Sequence, residues 1–175
     1  LRYEQSSKGV TIFFQDGSKV SGDLLIGADG IFSKIAHQMF SGDKFLYSGN
    51  VAWRALIKVT EMEDPIINNN NCIWVGPKKH AVTTVLGGGN FINFVGITEK
   101  PFNPKPLYPK NYKTIALSDF RGWNKQLVSI IEAADIVHQW PIYKARYFSK
   151  WSDGKVVIIG DAAHPMVPSM AQGAS

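Results

Sequence analysis

The chain has 175 residues, 45% hydrophobic and 12% aromatic, enough for one sizeable core or two small ones and too apolar for a disordered segment. Its net charge of +5 is scattered, with Lys78-Lys79 the only adjacent basic pair, so no nucleic-acid-binding stripe is expected. The single cysteine, Cys72, rules out an internal disulfide and fits a reducing, cytoplasmic setting; no apolar run reaches membrane-spanning length and no signal peptide is visible.

Leu1 opens the chain without a methionine, in what reads as a strand, and Ser175 closes it where a helix should begin; an internal fragment of a longer chain is expected. Val10 to Phe14 and Lys19 to Ser21 flank Asp16-Gly17-Ser18, the pattern of a hairpin. Asp23 to Ile26 is a buried strand entering the tight turn Gly27-Ala28-Asp29-Gly30. From Ile31 to Phe40 the spacing of Ile31, Ile35 and Met39 predicts a helix, with Ser33 in its first turn. A helix start and a close backbone approach are features that suit a phosphate, although an ordinary strand–helix turn has the same form.

Short β-rich segments follow: Val51 to Lys58, Cys72 to Val75, His80 to Leu86 and Asn90 to Ile97. Turn material separates them at Asn68 to Asn71, Gly76-Pro77 and Gly87 to Gly89. This predicts an antiparallel meander with one covered face, the four asparagines forming a loop. Pro101 to Pro109 reads as a connector. Tyr112 to Phe120 and Gln126 to Ala133 read as helices, the second with Leu127, Ile130 and Ile131 on one face. Trp140 to Tyr143 is a returning extended segment, and Trp151 to Lys155 is a turn.

The last stretch, VVIIGDAAHPMVPSMAQGAS, organises the chain. Val156 to Ile159 is β-branched without polar alternation and predicts a strand buried on both faces. Gly160-Asp161 places a carboxylate at its C-terminal edge, where open α/β sheets bind ligands. Pro165 and Pro168 force an extended loop. Ala171 to Ser175 is small enough for backbone N–H groups to approach a flat or anionic ligand.

Several side chains are candidates for chemistry. On the His80 strand, alternation places His80, Val82, Thr84 and Leu86 on one face and Ala81, Thr83 and Val85 on the other. His80 is either a base or a strand-edge histidine satisfied by a turn carbonyl. Arg54 suits bidentate pairing with a carboxylate or another planar polar edge; its other reading is a structural ion pair. His164 shapes its loop. His37, His138 and Cys72 have no spaced partner, so no metal site is expected, and no Gly-x-Ser-x-Gly or Cys/His nucleophile pattern is present.

The string GDAAHPMVPSMAQGAS resembles the "GD" flavin motif of the FAD-dependent aromatic hydroxylases, the class A flavoprotein monooxygenases, most of all their salicylate hydroxylase branch. Gly-Ala-Asp-Gly followed by a helix resembles their "DG" motif, with Ala36 standing where an arginine is usual. Val51-Ala52-Trp53-Arg54 and Trp74 to Pro77 followed by His80 resemble their substrate sheet. The resemblance implies an α/β fold: an incomplete glutathione-reductase-type FAD-binding domain with an inserted antiparallel β-sheet substrate domain. The corresponding division is 1–45 and 151–175 for the FAD part, 46–107 for the sheet and 108–150 for a helical, connecting part. The glycine-rich dinucleotide fingerprint is not in this sequence.

For the site, the resemblance implies that FAD is met by Asp29, Gly30, Gly160, Asp161, Pro168, Gly173, Ala174 and Ser175. Asp161 would bond a ribityl hydroxyl, and the loop from Pro168 to Ser175 would lie against the pyrimidine side of the ring. His80 would be the catalytic base, with Thr84 (where several members have tyrosine) and Arg54 beside it on the substrate. The implied reaction uses NAD(P)H as co-substrate, with dioxygen, to hydroxylate a small phenolic acid-like aromatic through a flavin hydroperoxide. The rival readings are another flavoprotein of the same fold, an isoprenoid epoxidase or a reductase, or a non-catalytic remnant that holds no flavin.

Overall fold

The computed structural model describes residues 1–40, 45–62, 71–101, 112–145 and 150–167. In chain order its elements are β1 (Arg2–Ser6), β2 (Gly9–Phe13), β3 (Lys19–Gly22), β4 (Leu25–Gly27), α1 (Lys34–Phe40), β5 (Phe45–Lys58), β6 (Cys72–Gly76), β7 (Lys79–Leu86), β8 (Phe91–Glu99), α2 (Lys113–Asp119), α3 (Lys125–Glu132), β9 (His138–Ala145), β10 (Ser152–Asp153) and β11 (Val156–Ile158). The chain divides into two compact units, Leu1–Ser48 with Tyr143–Ser175, and Gly49–Ile142.

The first unit holds two three-stranded sheets. β1, β2 and β3 form an antiparallel meander. The β2–β3 turn is closed by Asp16, whose Oδ1 accepts the Ser18 N–H at 2.9 Å and the Ser18 hydroxyl at 2.7 Å. These bonds hold its carboxyl below the usual range, as hydrogen bonds to a charged form do. In the second sheet β11 lies between β10 and β4, antiparallel to the first and parallel to the second. The core between these elements and α1 is Tyr3, Val10, Leu25, Ile35, Ala36, Val156, Ile158, Ala162 and Ala163. Gln38 fastens α1 to β1: its side chain accepts the Tyr3 N–H at 2.9 Å and donates to the Tyr3 carbonyl at 2.6 Å.

Three expectations for this unit are corrected. The strand read as buried from Asp23 to Ile26 is only Leu25–Gly27, with Leu24 56% and Ile26 54% exposed, because one of its faces is left uncovered. The helix starts at Lys34, three residues later than its apolar spacing suggested, because Ser33 caps it. The Ser33 hydroxyl accepts the Ala36 N–H at 2.8 Å, the geometry of a helix N-cap. The Val156–Ile159 run is not buried on both faces. Val156 and Ile158 are fully buried, Val157 is half-buried and Ile159 is 47% exposed; a β-branched run shows no alternation in sequence even where only one face is covered.

The second unit is a five-stranded sheet in the order β6-β7-β8-β5-β9, with α2 and α3. The predicted meander holds for β6, β7 and β8. β5 instead lies between β8 and β9, pairing with β8 from Asn50 to Lys58, because that long antiparallel register buries Trp53, Ala55 and Ile57 beside Ile92 and Phe94. One face is covered, as expected. Phe94 meets Phe120 edge-on at 5.7 Å, and Trp53 meets Tyr112 at 6.4 Å. Leu127, Ile130 and Ile131 of α3 are buried, each such side chain contributing about 1.5–3 kcal/mol relative to exposure. Asn124 caps α3, accepting the Gln126 N–H at 2.8 Å. Asn68 to Asn70 and most of the Pro101 to Pro109 connector lie outside the described residues.

Candidate functional site

The parallel pairing of β4 and β11 brings the two motifs together. Its register sets Leu25 against Val156 and Gly27 against Ile158, and the Ile159 N–H continues it to the Gly27 carbonyl at 3.0 Å. Gly27-Ala28-Asp29-Gly30 and Gly160-Asp161 therefore leave the same carboxyl edge of one strand pair, the place where α/β sheets hold ligands. Gly30 has φ +77° and Gly160 φ +57°, left-handed values that favour glycine, and a Cβ on either would meet nothing within 4 Å. The space beside both glycines is open.

The two aspartates differ in how they are used. Asp29 is turned inward onto its own helix: one oxygen accepts the Ser33 hydroxyl at 2.5 Å, the other the Lys34 N–H at 2.8 Å and the Ile35 N–H at 3.4 Å. Asp161 sits in a single 3-10 turn, Gly160–Ala162, whose end is tied back by the Ala163 and His164 N–H groups on the Gly160 carbonyl. Its carboxylate is exposed, and no donor among the described residues reaches it. A hydroxyl-bearing ligand fits that free acceptor. Ala162 and Ala163 are buried behind it. The His164 ring meets that of Trp151, centroids 5.1 Å apart and planes tilted by 39°. Pro168, Gly173, Ala174 and Ser175 lie outside the described residues.

In the second unit, cross-strand register decides which side chains share a face. Arg54 of β5 stands opposite Val95 of β8, which stands opposite Val82 of β7. One row along, Ala52, Ile97 and His80 are aligned; in the other direction, Leu56, Asn93 and Thr84. Directly opposed residues project to the same side, so Arg54, His80 and Thr84 share the face opposite the covered one. Arg54 is exposed, and His80 and Thr84 are half-buried. Among the described residues no carboxylate pairs with Arg54 and no turn carbonyl accepts from His80. His80 is the second residue of β7, an interior strand, close to the turn at Pro77-Lys78. Val82 and Val95 lie between the polar groups as an aliphatic floor.

Asn93 belongs to the same face and was not singled out from the sequence. Its alternation with Phe94 and Val95 was legible; its position opposite Thr84 needed the register.

A separate cavity of about 430 Å³ opens beside α2, lined by residues that include Lys79, Thr98, Lys100 and Asp119. Its charges are internally matched. Lys100 pairs with Asp119 at 2.8 Å, the Thr98 hydroxyl donates to Asp119 at 3.2 Å, and Lys79 donates to the Asp119 carbonyl. None of the residues expected to bind substrate or cofactor lines it. Among the described residues no cluster of His, Cys, Asp and Glu is arranged to hold a metal ion, and no helix is long and apolar enough to cross a membrane.

The chain is 35% identical over 175 residues to the 3-hydroxybenzoate 6-hydroxylase of Polaromonas naphthalenivorans (strain CJ2), covering 99% of this chain and 43% of that one. A structure of Klebsiella pneumoniae HpxO complexed with FAD and uric acid superimposes with a TM-score of 0.83 at 27% identity, over 98% of this chain and 44% of that one. A salicylate hydroxylase substrate complex superimposes with a TM-score of 0.80 at 25% identity, over 98% and 46%. The chain thus spans less than half the length of the proteins it matches. From residue 2 to residue 175 it matches the FAD binding domain family, and it belongs to that family.

Proposed function

We propose that this chain is the part of an FAD-dependent, NAD(P)H-using aromatic monooxygenase that carries half of the flavin site and the substrate sheet. The fold proposed is a glutathione-reductase-type FAD domain, residues 1–45 and 151–175, interrupted by a substrate domain of sheet, 46–107, and helical connection, 108–150. Bound FAD supplies the chemistry of taking reducing equivalents from NAD(P)H and passing one atom of dioxygen to an aromatic ring, the other leaving as water. Everything else is the work of the chain. Asp161 accepts a hydrogen bond from a ribityl hydroxyl. Gly30 and Gly160 let the backbone come close, with Asp29 holding the turn in shape. Pro168, Gly173, Ala174 and Ser175, outside the described residues, would help to hold the flavin ring. A reducing, cytoplasmic setting accords with the lone cysteine.

The observation that carries the reading is the common face of Arg54, His80 and Thr84. Arg54 suits the carboxylate of an aromatic acid, the Val82–Val95 floor suits the ring, and His80 takes the phenolic proton, which raises the ring's electron density for attack. The similarity to a 3-hydroxybenzoate 6-hydroxylase supports a phenolic acid as substrate class, and Thr84 tunes which one.

The test is single-turnover hydroxylation by the FAD-loaded protein carrying this chain, wild type beside His80→Ala, over a pH series. General-base catalysis contributes about 10²–10⁴-fold, so the variant should lose about that much near neutrality with its FAD content intact. It should recover much of the rate at a pH where the phenol is already ionised. A deficit that stays flat with pH removes His80 as the base.

A further inference from the structure

We infer that Asn93 and Thr84 form a second recognition point on the substrate face, for a ring substituent that both donates and accepts hydrogen bonds, such as an amino or hydroxyl group. The inference rests on the proposed function and refines it.

Three observations lead there. Asn93 on β8 and Thr84 on β7 are directly opposed, so their side chains stand side by side, about 4.5–5.5 Å apart at Cβ. Both are half-buried, and neither side chain has a hydrogen-bond partner among the described residues. The threonines on the covered face behave otherwise: Thr83 accepts from the Trp74 indole at 3.3 Å, and Thr98 from the Trp53 indole at 3.0 Å. The surroundings are aliphatic, with Leu56 in the same row and Val82 and Val95 in the next. A ring lying on that floor would strip water from the amide and hydroxyl, and burying them unpaired is costly. Only a ligand that pairs with them avoids the cost.

The position relative to Arg54 fits one molecule. Arg54 faces Val95, so Asn93 is its diagonal neighbour, about 7–8 Å away. A benzoate whose carboxylate meets Arg54 carries its meta and para positions toward Asn93 and Thr84. The pair therefore reads a substituent across the ring from the acid, and sets a preference that Arg54 and His80 alone leave open.

The experiment measures ligand binding through the flavin absorbance change in the FAD-loaded protein carrying this chain. The probes are monohydroxybenzoates, each with and without one added amino group meta or para to the carboxylate. Wild type should bind at least one amino member more tightly than its parent. Asn93→Leu should weaken that member about tenfold, the effect of about one hydrogen bond, and leave the parent within about twofold; Thr84→Val should show the same selectivity. Should Asn93→Leu fail to fold, judged by FAD content and thermal unfolding, Asn93→Ser and Thr84→Val provide the comparison. Equal weakening of both members, or no preference in wild type, overturns the inference and leaves the proposed function standing. If no benzoate perturbs the wild-type flavin, the proposed function fails and this inference falls with it.

Discussion

Replacing Asp29 separates two roles that a carboxylate in this turn can have. In the structure it is a cap, taking the Ser33 hydroxyl at 2.5 Å and the Lys34 N–H at 2.8 Å, with a long third contact to the Ile35 N–H at 3.4 Å. Losing a helix cap costs about 0.5–2 kcal/mol. The Ser33 hydroxyl is almost fully buried and would lose its acceptor, for which about 1–3 kcal/mol is usual. Because Asp29 itself is exposed, water replaces part of what is removed, and the sum for Asp29→Ala is about 2 kcal/mol. With a urea dependence of about 1–3 kcal/mol per molar, the unfolding midpoint of the apoprotein should fall by about 1 M. Asp29→Asn keeps one acceptor and should recover about half of the loss. FAD affinity, measured on the folded fraction, should change little in either variant. An unchanged urea midpoint combined with a more than tenfold loss of FAD affinity would refute this reasoning and place the carboxylate directly on the cofactor.

Asp161 is expected to behave in the opposite way. A charge-assisted hydrogen bond is worth about 1.5–3 kcal/mol, so Asp161→Ala should weaken FAD binding about ten- to a hundredfold in a flavin-fluorescence titration while leaving the apoprotein's stability nearly unchanged; unaltered affinity would take Asp161 out of the site. Gly96→Ala tests the covered face of the larger sheet. Its Cβ would stand 2.6 Å from Phe120 Cζ and 2.8 Å from Phe94 Cζ, both on fully buried rings, so an overpacking loss of about 2–3 kcal/mol is expected by denaturant titration. Gly76→Ala strikes the half-buried Trp123 at 2.7 Å and should cost less, since that ring can swing outward; equal costs would mean the buried rings are not rigidly placed.

Local chemistry was legible where a residue's role depends on its neighbours in sequence. Asp16-Gly17-Ser18 announced its turn, and Leu127, Ile130 and Ile131 announced the buried stripe of α3. The alternation of Ala81 and Thr83 against His80 and Thr84 separated the two faces of β7. What stayed hidden depends on pairing at a distance. Nothing in β5 says that it will slot between β8 and β9, and so nothing in the sequence says that Arg54, Asn93 and Thr84 are neighbours. The role of Asp29 was obscured for a different reason. An Asp-x-x-x-Ser pattern before a helix serves a phosphate turn and a self-capping turn equally well, and only the side-chain rotamers tell them apart. The unbroken β-branched run of Val156 to Ile159 concealed its exposed side, because valine and isoleucine satisfy a strand whether or not both faces are covered.

The pairing of β4 with β11 also bears on the order in which the molecule assembles. These two strands, of three residues each, have the whole of the larger sheet between them in sequence. Closing so long a loop for so few ladder bonds is entropically unfavourable until the intervening chain is compact. The β6–β7–β8 hairpins face no such barrier, since each strand finds its partner next in line. The larger sheet is therefore expected to organise first, with the carboxyl edge that gathers Asp29 and Asp161 among the last parts to form. Asp29 and Asp161 would then come together only after the sheet face carrying Arg54, His80 and Thr84 has formed.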